Sequence, residues 1–169
     1  MKKKRPLNPK RRLQITIAAG IVIVAVVIAL SYNFDQAGLK GQKFGDDLAL
    51  IQSDLKNETQ NFDYQLSLYE KGKLSKQEML NITDSHIEKM QSFLVRYDSL
   101  SPPEPFVSSL QLFRLSTQTQ LESDKLLQDW IQTGNNSTRT KSDDLLQQSF
   151  QYEMNALQSF NSAKSKGSQ

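Results

Sequence analysis

The sequence predicts an all-α protein, in which one N-terminal transmembrane helix precedes an extracytoplasmic four-helix bundle of up-down-up-down topology. Residues 13–32 form an uninterrupted apolar run without charge or proline. The remainder of the chain carries apolar residues at alternating spacings of three and four, which is the period of one helix face. Short polar breaks divide this pattern into four segments, and short connections place consecutive helices antiparallel.

The basic N-terminal tail, residues 1–12, gives the membrane segment its orientation. It contains seven Lys and Arg residues and no acid, whereas the first basic residue after the apolar run is Lys40. A helix of about twenty residues spans about 30 Å, the thickness of a bilayer's hydrocarbon core. Because basic flanks stay on the cytoplasmic side, we expect a single-pass signal-anchor in the cell membrane, with the tail in the cytoplasm and residues 33–169 outside. A cleaved secretory signal peptide is the alternative, with Ala29 and Ser31 as the small residues before its cut.

The charge of the chain separates into two regions. The formal net charge is +3, yet outside the tail 14 Lys and Arg residues stand against 18 acids, a formal charge of −4. A mildly acidic domain lacks the positive footprint of a nucleic-acid-binding surface, so we expect no nucleic-acid partner. The tail instead suits anionic lipid, which makes the membrane lipid bilayer the first expected partner. The absence of cysteine excludes disulfides and thiolate metal sites.

A juxtamembrane linker is predicted at residues 33–45, because its three glycines favour flexible chain. If these glycines were helical, the first bundle helix and the membrane helix would form one long rod. The bundle is assigned to residues 46–164, and a polar tail to residues 165–169.

Four apolar stripes define the predicted bundle helices. The first ends near Gly72, and the second opens with the capping box Ser75-Lys-Gln-Glu78, in which side chains and backbone cap each other. Prolines after Leu100 end the second helix, and Gly134 ends the third. The stripes are Leu48, Ile51, Leu55, Thr59, Phe62, Leu66 and Tyr69; Met79, Thr83, His86, Met90, Phe93, Tyr97 and Leu100; Phe106, Leu110, Phe113, Thr117, Leu121, Leu127 and Ile131; and Leu145, Leu146, Phe150, Leu157 and Phe160. Their polar members are ordinary on coiled-coil-like seams, although a polar stripe facing a partner is the alternative.

The sequence predicts that the protein is not an enzyme. It has no cysteine, no Gly-x-Ser-x-Gly nucleophile elbow and no glycine-rich phosphate loop, and its one histidine lies within an apolar stripe. The carboxylate pairs Asp46-Asp47 and Asp143-Asp144 stand near helix N-termini, where they complement the helix dipole. We therefore expect no catalytic residues and no cofactor.

His86 is the candidate centre of a metal or haem site. It shares a helix face with Met79 and Met90, and an imidazole with thioethers suits copper. Met154 on the fourth helix is a candidate second haem ligand. The competing interpretation is that the methionines fill gaps in the core, with His86 at its edge. The second interpretation is favoured, so the prediction is no metal, with His86, Met90 and Met79 as weak candidates.

Four Asn-x-Ser/Thr sequons lie in the outer region, where export allows N-glycosylation. They begin at Asn57, Asn81, Asn135 and Asn136. The adjacent pair falls in the predicted third loop, where a glycan meets no obstacle. Asn81 is the weakest candidate, because Thr83 of its sequon lies on the buried stripe.

These observations predict a non-enzymatic, single-pass membrane-anchored protein that presents a helical bundle for protein interaction or scaffolding in the cell envelope. Its expected partner is another envelope or membrane protein. The alternative is an extracytoplasmic ligand-binding or sensory-type module, with a small molecule, haem or metal held between helices. In architecture alone the plan resembles the sensory modules of membrane receptors, from which it differs by lacking a second membrane helix and a cytoplasmic output domain.

Overall fold

Four α-helices account for most of residues 38–167, the part of the chain that the computed structural model describes. In chain order they are α1 (Gly38–Glu70), α2 (Lys76–Asp98), α3 (Val107–Thr133) and α4 (Asn136–Gly167), with a 3-10 turn at Glu104–Phe106 before α3. No residue of the described range lies in a β-strand. The prediction of an all-α protein is therefore confirmed for this range.

None of the four described helices is both long enough and apolar enough to cross a bilayer. The predicted transmembrane segment at residues 13–32 and the basic tail at residues 1–12 lie outside the described residues, as does the first part of the predicted linker, residues 33–37. The membrane anchor and its orientation therefore stay predictions from the sequence.

The first helix begins inside the segment predicted to be a linker. α1 starts at Gly38, so residues 38–45 are helical. Glycine in a helix costs roughly 1 kcal/mol relative to alanine. However, Phe44 is only 3% exposed, and its ring lies 5.9 Å from that of Phe106. Burying an aromatic side chain stabilises by about 1.5–3 kcal/mol, which offsets part of the cost of the glycines. Residues 38–45 are therefore helical and do not form the flexible linker that their glycines predict.

The second helix starts at the capping box that the sequence predicts. Ser75 Oγ accepts from the Glu78 backbone N–H at 3.2 Å, and the Ser75 N–H donates to Glu78 Oε2 at 2.7 Å. Two backbone donors that would otherwise be unpaired at this helix end are thereby satisfied. The last residue of the predicted stripe, Leu100, lies beyond the end of α2 and is half-buried. The other members of the stripe are the buried residues of α2: Met79, Thr83, His86, Met90, Phe93 and Tyr97.

Ser75→Ala is expected to lower the free energy of unfolding by about 1 kcal/mol. The alanine cannot accept from the Glu78 N–H, while every buried contact of α2 is unchanged. Urea unfolding of the full chain in detergent measures the difference. Ser92→Ala, at an exposed position of the same helix, is the matched control and should stay within about 0.5 kcal/mol of the unaltered protein. Equal effects of the two substitutions would contradict the role of the cap.

Contacts between consecutive helices run in opposite directions. Gln52 meets Tyr97 and Glu58 meets His86 across α1 and α2, so later residues of one helix meet earlier residues of the other. The same reversal relates α2 to α3 and α3 to α4. The helices therefore run up, down, up and down around one core.

The third and fourth helices pack closely along a row of small side chains. Ser116 Oγ donates to the backbone oxygen of Ser149 at 2.8 Å, and Ser123 Oγ donates to that of Ser142 at 2.7 Å. A side chain as short as serine reaches the neighbouring backbone only where two helices lie close together. On α4 the row continues at seven-residue spacing and is buried throughout: Ser142, Ser149, Ala156 and Ala163.

This row corrects the predicted inner face of α4. Of the five apolar residues assigned to that face, Phe160 is buried, whereas Leu145, Leu146, Phe150 and Leu157 are half-buried. The positions that face α3 along the row carry serine and alanine, because the close approach of α3 leaves little room for larger side chains. Asp143, Glu153 and Phe160 are the other buried residues of α4. Apolar periodicity misses such a face, since serine does not count as apolar.

The seam between α1 and α4 is wider and is closed by side chains. No described Cα atom of α1 lies within 8 Å of one of α4, although both helices contribute to the same apolar cluster. At one end of the seam the ring of Phe106 lies between those of Phe44 and Phe160, with centroids 5.9 and 4.9 Å away. At the other end Arg139 pairs with Glu70 and stacks over the only tryptophan of the chain.

Candidate functional site

A charged layer divides the core of the bundle. It consists of Glu58 on α1, His86 on α2 and Asp124 on α3, and we refer to these three residues by that name. An apolar cluster flanks it on each side: Phe62, Leu66, Met79, Leu127 and Ile131 on one side, and residues including Leu55, Met90, Phe93 and Leu121 on the other. The layer is the one place among the described residues where a histidine and two carboxylates meet.

The geometry of the charged layer suits a doubly protonated imidazole. His86 Nδ1 lies 3.0 Å from Glu58 Oε1, and His86 Nε2 lies 3.1 Å from Asp124 Oδ2. An ionised carboxylate only accepts hydrogen bonds, and with both ring nitrogens protonated the imidazolium donates one to each of the two carboxylates. The ring also stacks on Phe62, with centroids 3.9 Å apart and planes inclined by 3°.

The pKa of His86 agrees with this protonation state. Burial alone lowers the pKa of the imidazole, but the charge and hydrogen bond of Asp124, together with those of Glu58, raise it from 6.5 to about 9. The side chain is 1% exposed, so water screens these interactions little. His86 is therefore a buried cation at neutral pH.

The charge of the layer is balanced by a lysine at the surface of the bundle. Lys89 Nζ donates to Glu58 Oε2 at 2.7 Å, although the lysine itself is 56% exposed. Burial raises the pKa of Glu58, but hydrogen bonds from His86 and Lys89 outweigh burial and lower it below its ordinary value. Two carboxylates and two cations thus form a neutral group, which is the condition under which buried charges are tolerated.

The candidate metal ligands do not meet at one site. Met79 lies in one apolar cluster and Met90 in the other, while both nitrogens of His86 face carboxylates. Met154, the suggested second haem ligand, is 49% exposed on α4. Among residues 38–167 no cluster of three His, Cys, Asp or Glu side chains has metal-binding geometry. A metal at His86 would have to displace a bonded carboxylate.

All four sequon asparagines are exposed. Asn135 immediately precedes α4 and caps it, since its Oδ1 accepts from the Ser137 N–H at 3.0 Å. In the helical sequons the hydroxyl residue is buried instead: Thr83 donates to the Met79 carbonyl at 2.7 Å, and Thr59 accepts from Gln120. Intact mass of the native protein tests the predicted glycans at these positions.

A second group of polar side chains lies deeper in the larger cluster, and the predicted stripes contain only two of its four members, Tyr97 and Thr117. Gln52 Nε2 donates to the Tyr97 hydroxyl at 2.6 Å, and Thr117 Oγ1 lies 3.5 Å from the same oxygen. Glu153 of α4 is 6% exposed and burial raises its pKa from 4.5 to about 8. We call Gln52, Tyr97, Thr117 and Glu153 the inner polar group.

Helical register is the sequence signal that identifies the buried acids Asp124 of the charged layer and Glu153 of the inner polar group. Asp124 stands three after Leu121 and three before Leu127, and Glu153 stands three before Ala156, so both occupy inward positions of their helices. A charged residue at an inward position needs a partner or loses its charge. Asp124 has His86 as its partner. Glu153 has no such partner among the described side chains, and its raised pKa favours the uncharged form.

A shallow groove between α1 and α2 reaches the charged layer from outside. It encloses about 340 Å³. Phe62, Ile82 and His86 line it together with polar side chains that include three carboxamides: Glu58, Asn61, Gln65, Asn81, Ser85 and Lys89. It is the place where a small polar molecule could contact the layer without entering the core.

Comparison with known proteins assigns no family to this arrangement. The chain matches no family model, no curated protein and no solved structure.

Proposed function

We propose that this protein is a non-enzymatic, membrane-anchored helical bundle that binds another envelope or membrane protein. The state of its only histidine carries the non-enzymatic part of the proposal. A general base needs a free lone pair, and a general acid or base works best with a pKa near the ambient pH. His86 is a cation whose two N–H groups are bonded to Glu58 and Asp124, with its pKa raised to about 9. Such a side chain stabilises the core and is not suited to act as a general acid or base.

The outer surface of the α1–α2 hairpin supports protein binding. Leu50 and Tyr64 on α1 are 57% and 60% exposed, and Val95 on α2 is 69% exposed. Leu50 and Tyr64 are fourteen residues apart, four turns of helix, so they lie on the same outer side of α1. Exposed apolar and aromatic side chains on a helix are typical anchors of a protein interface.

Site-specific photocrosslinking in native membranes tests this proposal. A photoreactive residue replaces Leu50 or Tyr64, and the same residue replaces Gln147, which is exposed on α4, as the control. We expect one discrete adduct with an envelope protein at the α1 positions and none at position 147. The adduct should disappear when Val95→Ser is added. Absence of a discrete adduct at α1, or the same adducts at all three positions, would contradict the proposal.

A second candidate function, retention of a small uncharged polar molecule, is favoured by the groove at the charged layer. Its charged lining residues already neutralise one another, and Asn81 Oδ1 accepts from Gln77, so the carboxamides of Asn61 and Gln65 are groups left to bind hydroxyl or amide groups. Saturation-transfer NMR with glucose and N-acetylglucosamine as probes is the test. Signal that is lost in Gln65→Leu and kept in Gln158→Leu would support it, and no signal in the unaltered protein would contradict it.

A further inference from the structure

The inner polar group contains more hydrogen-bond acceptors than donors. Gln52 Oε1 and Glu153 Oε1 are buried, and neither has a hydrogen-bond partner among the described residues. The Tyr97 hydroxyl accepts from Gln52 and has one hydrogen of its own to donate. Neither oxygen accepts a hydrogen bond from that hydroxyl. Both therefore lack a donor, and a buried unpaired acceptor costs about 1–3 kcal/mol.

Glu153 and Tyr97 lie at the same level of the bundle. Thr117, which approaches the Tyr97 hydroxyl, follows Ser116, whose side chain bonds to the backbone of Ser149. Glu153 is one turn beyond Ser149 on the same inward row. Burial raises the pKa of Tyr97 above its ordinary value, and the charge of Glu153 adds to this effect. The two side chains are therefore close enough to interact.

Among the side chains that the structure describes, no cation faces Glu153 from a neighbouring helix. Tyr97 of α2 is the titratable group opposite, and Gln52 of α1 and Thr117 of α3 are uncharged. The neighbouring charges are paired at the outer seams: Arg96 with Asp54 between α1 and α2, and Arg114 with Asp98 between α2 and α3. Burial is accordingly the one cause of the raised pKa of Glu153.

We propose that Glu153 is held in the folded bundle as an uncharged carboxylic acid, whose O–H is the missing donor of the inner polar group, and that its ionisation loosens α4 against α1. An un-ionised carboxyl group has one O–H donor, whereas a carboxylate has none. The carboxylate would need water, and the α1–α4 seam, where no described backbone approach is within 8 Å, is where water can enter with least disruption. This protonation switch operates whichever partner the bundle binds.

The pKa values give the direction of the effect. Between pH 4.5 and about 8, the unfolded chain has released the Glu153 proton while the folded chain still holds it. Stability is therefore lost progressively as the pH rises through this range. Glu153→Gln keeps the shape, the acceptor and a donor but cannot ionise. Across the range, the unfolding constant of the unaltered protein should rise about a thousandfold relative to that of the variant.

The test combines three measurements on the full chain in detergent. Urea unfolding at a series of pH values compares the unaltered protein with Glu153→Gln and with the control Glu122→Gln, which changes an exposed glutamate of α3. Hydrogen exchange of α1 and α4, corrected for the intrinsic rate, should rise with pH in the unaltered protein and in the control, but not in Glu153→Gln. Infrared difference spectra between neutral and alkaline pH should show loss of a protonated carboxyl band that Glu153→Gln lacks.

Two results would overturn the proposal. One is an unaltered protein without a protonated carboxyl band at neutral pH, a measurement that needs no variant to fold. The other is a pH dependence of stability and exchange that is the same in Glu153→Gln as in the unaltered protein. In the second case the acceptors of the inner polar group are satisfied by another donor, such as buried water.

Discussion

His86→Ala is expected to lower the free energy of unfolding by about 3–5 kcal/mol, as found when one partner of a buried charged pair is removed. The substitution leaves Glu58 and Asp124, which now face opposite nitrogens of one ring at 3.0 and 3.1 Å, on either side of a cavity with no cation between them. It also removes the ring that stacks on Phe62. Urea unfolding of the full chain in detergent provides the measurement.

The pH dependence of stability separates the charge of His86 from its volume. Because its pKa is about 9 in the folded state and 6.5 in the reference state, its contribution is fully present below pH 6.5 and is lost as the pH rises through 9. The difference of about 2.5 pKa units corresponds to roughly 3 kcal/mol. His86→Ala should lack this component of the pH profile. The comparison is made in the Glu153→Gln background, since Glu153 also makes stability fall with rising pH.

Lys89→Ala is the matched control for the charged layer. Lys89 lies on α2, the helix of His86, and its exposed ammonium group pairs with Glu58 of α1. Exposed ion pairs contribute about 0–1 kcal/mol. If Lys89→Ala lowered the free energy of unfolding as much as His86→Ala does, the balance of charge, and not the buried imidazolium, would stabilise the layer. A cost of His86→Ala below about 1 kcal/mol would show that the layer is filled by water.

The charged layer also shows what sequence reasoning can and cannot reach. The stripe on α2 could be predicted through Tyr97, because one apolar side chain per turn at three-four spacing is a local property of the chain. His86 belonged to that stripe, yet its protonation depends on Glu58 and Asp124, which are 28 and 38 residues away. Register identifies an inward carboxylate, but only the packing of three helices tells which cation it meets.

The predictions for the start of α1 and for the inner face of α4 were wrong for a different reason. The glycines of residues 38–45 predict flexible chain, whereas these residues are helical and Phe44 packs on Phe106, far along the sequence. On α4 the inward row consists of serine and alanine, so the spacing of large apolar residues indicates Leu145 and Phe150, which lie at its edge. In both cases tertiary packing overrides a local preference of about 1 kcal/mol per residue.

Ser149→Leu is expected to destabilise the bundle by about 1–3 kcal/mol, with α3 and α4 forced apart. Ser149 is 3% exposed and lies where the Ser116 hydroxyl reaches its backbone oxygen at 2.8 Å. A leucine at this position adds three carbon atoms at the narrowest interface of the described bundle. The helices can separate only by breaking serine-to-backbone hydrogen bonds along the row, including that from Ser123.

Two controls distinguish crowding from other effects of the leucine. Ser149→Ala removes the hydroxyl, which donates within its own helix to the Leu146 carbonyl, and keeps the small volume, so it should stay within about 0.5 kcal/mol of the unaltered protein. Gln147→Leu places the same leucine at an exposed position of α4 and should be equally mild. Because Trp130 stacks with Arg139 at the end of this interface, its fluorescence should change in Ser149→Leu alone. If Ser149→Leu were tolerated as well as alanine, the row of small residues would not be what sets the distance between α3 and α4, and the half-buried leucines at its edge would have to be the residues that hold these helices together.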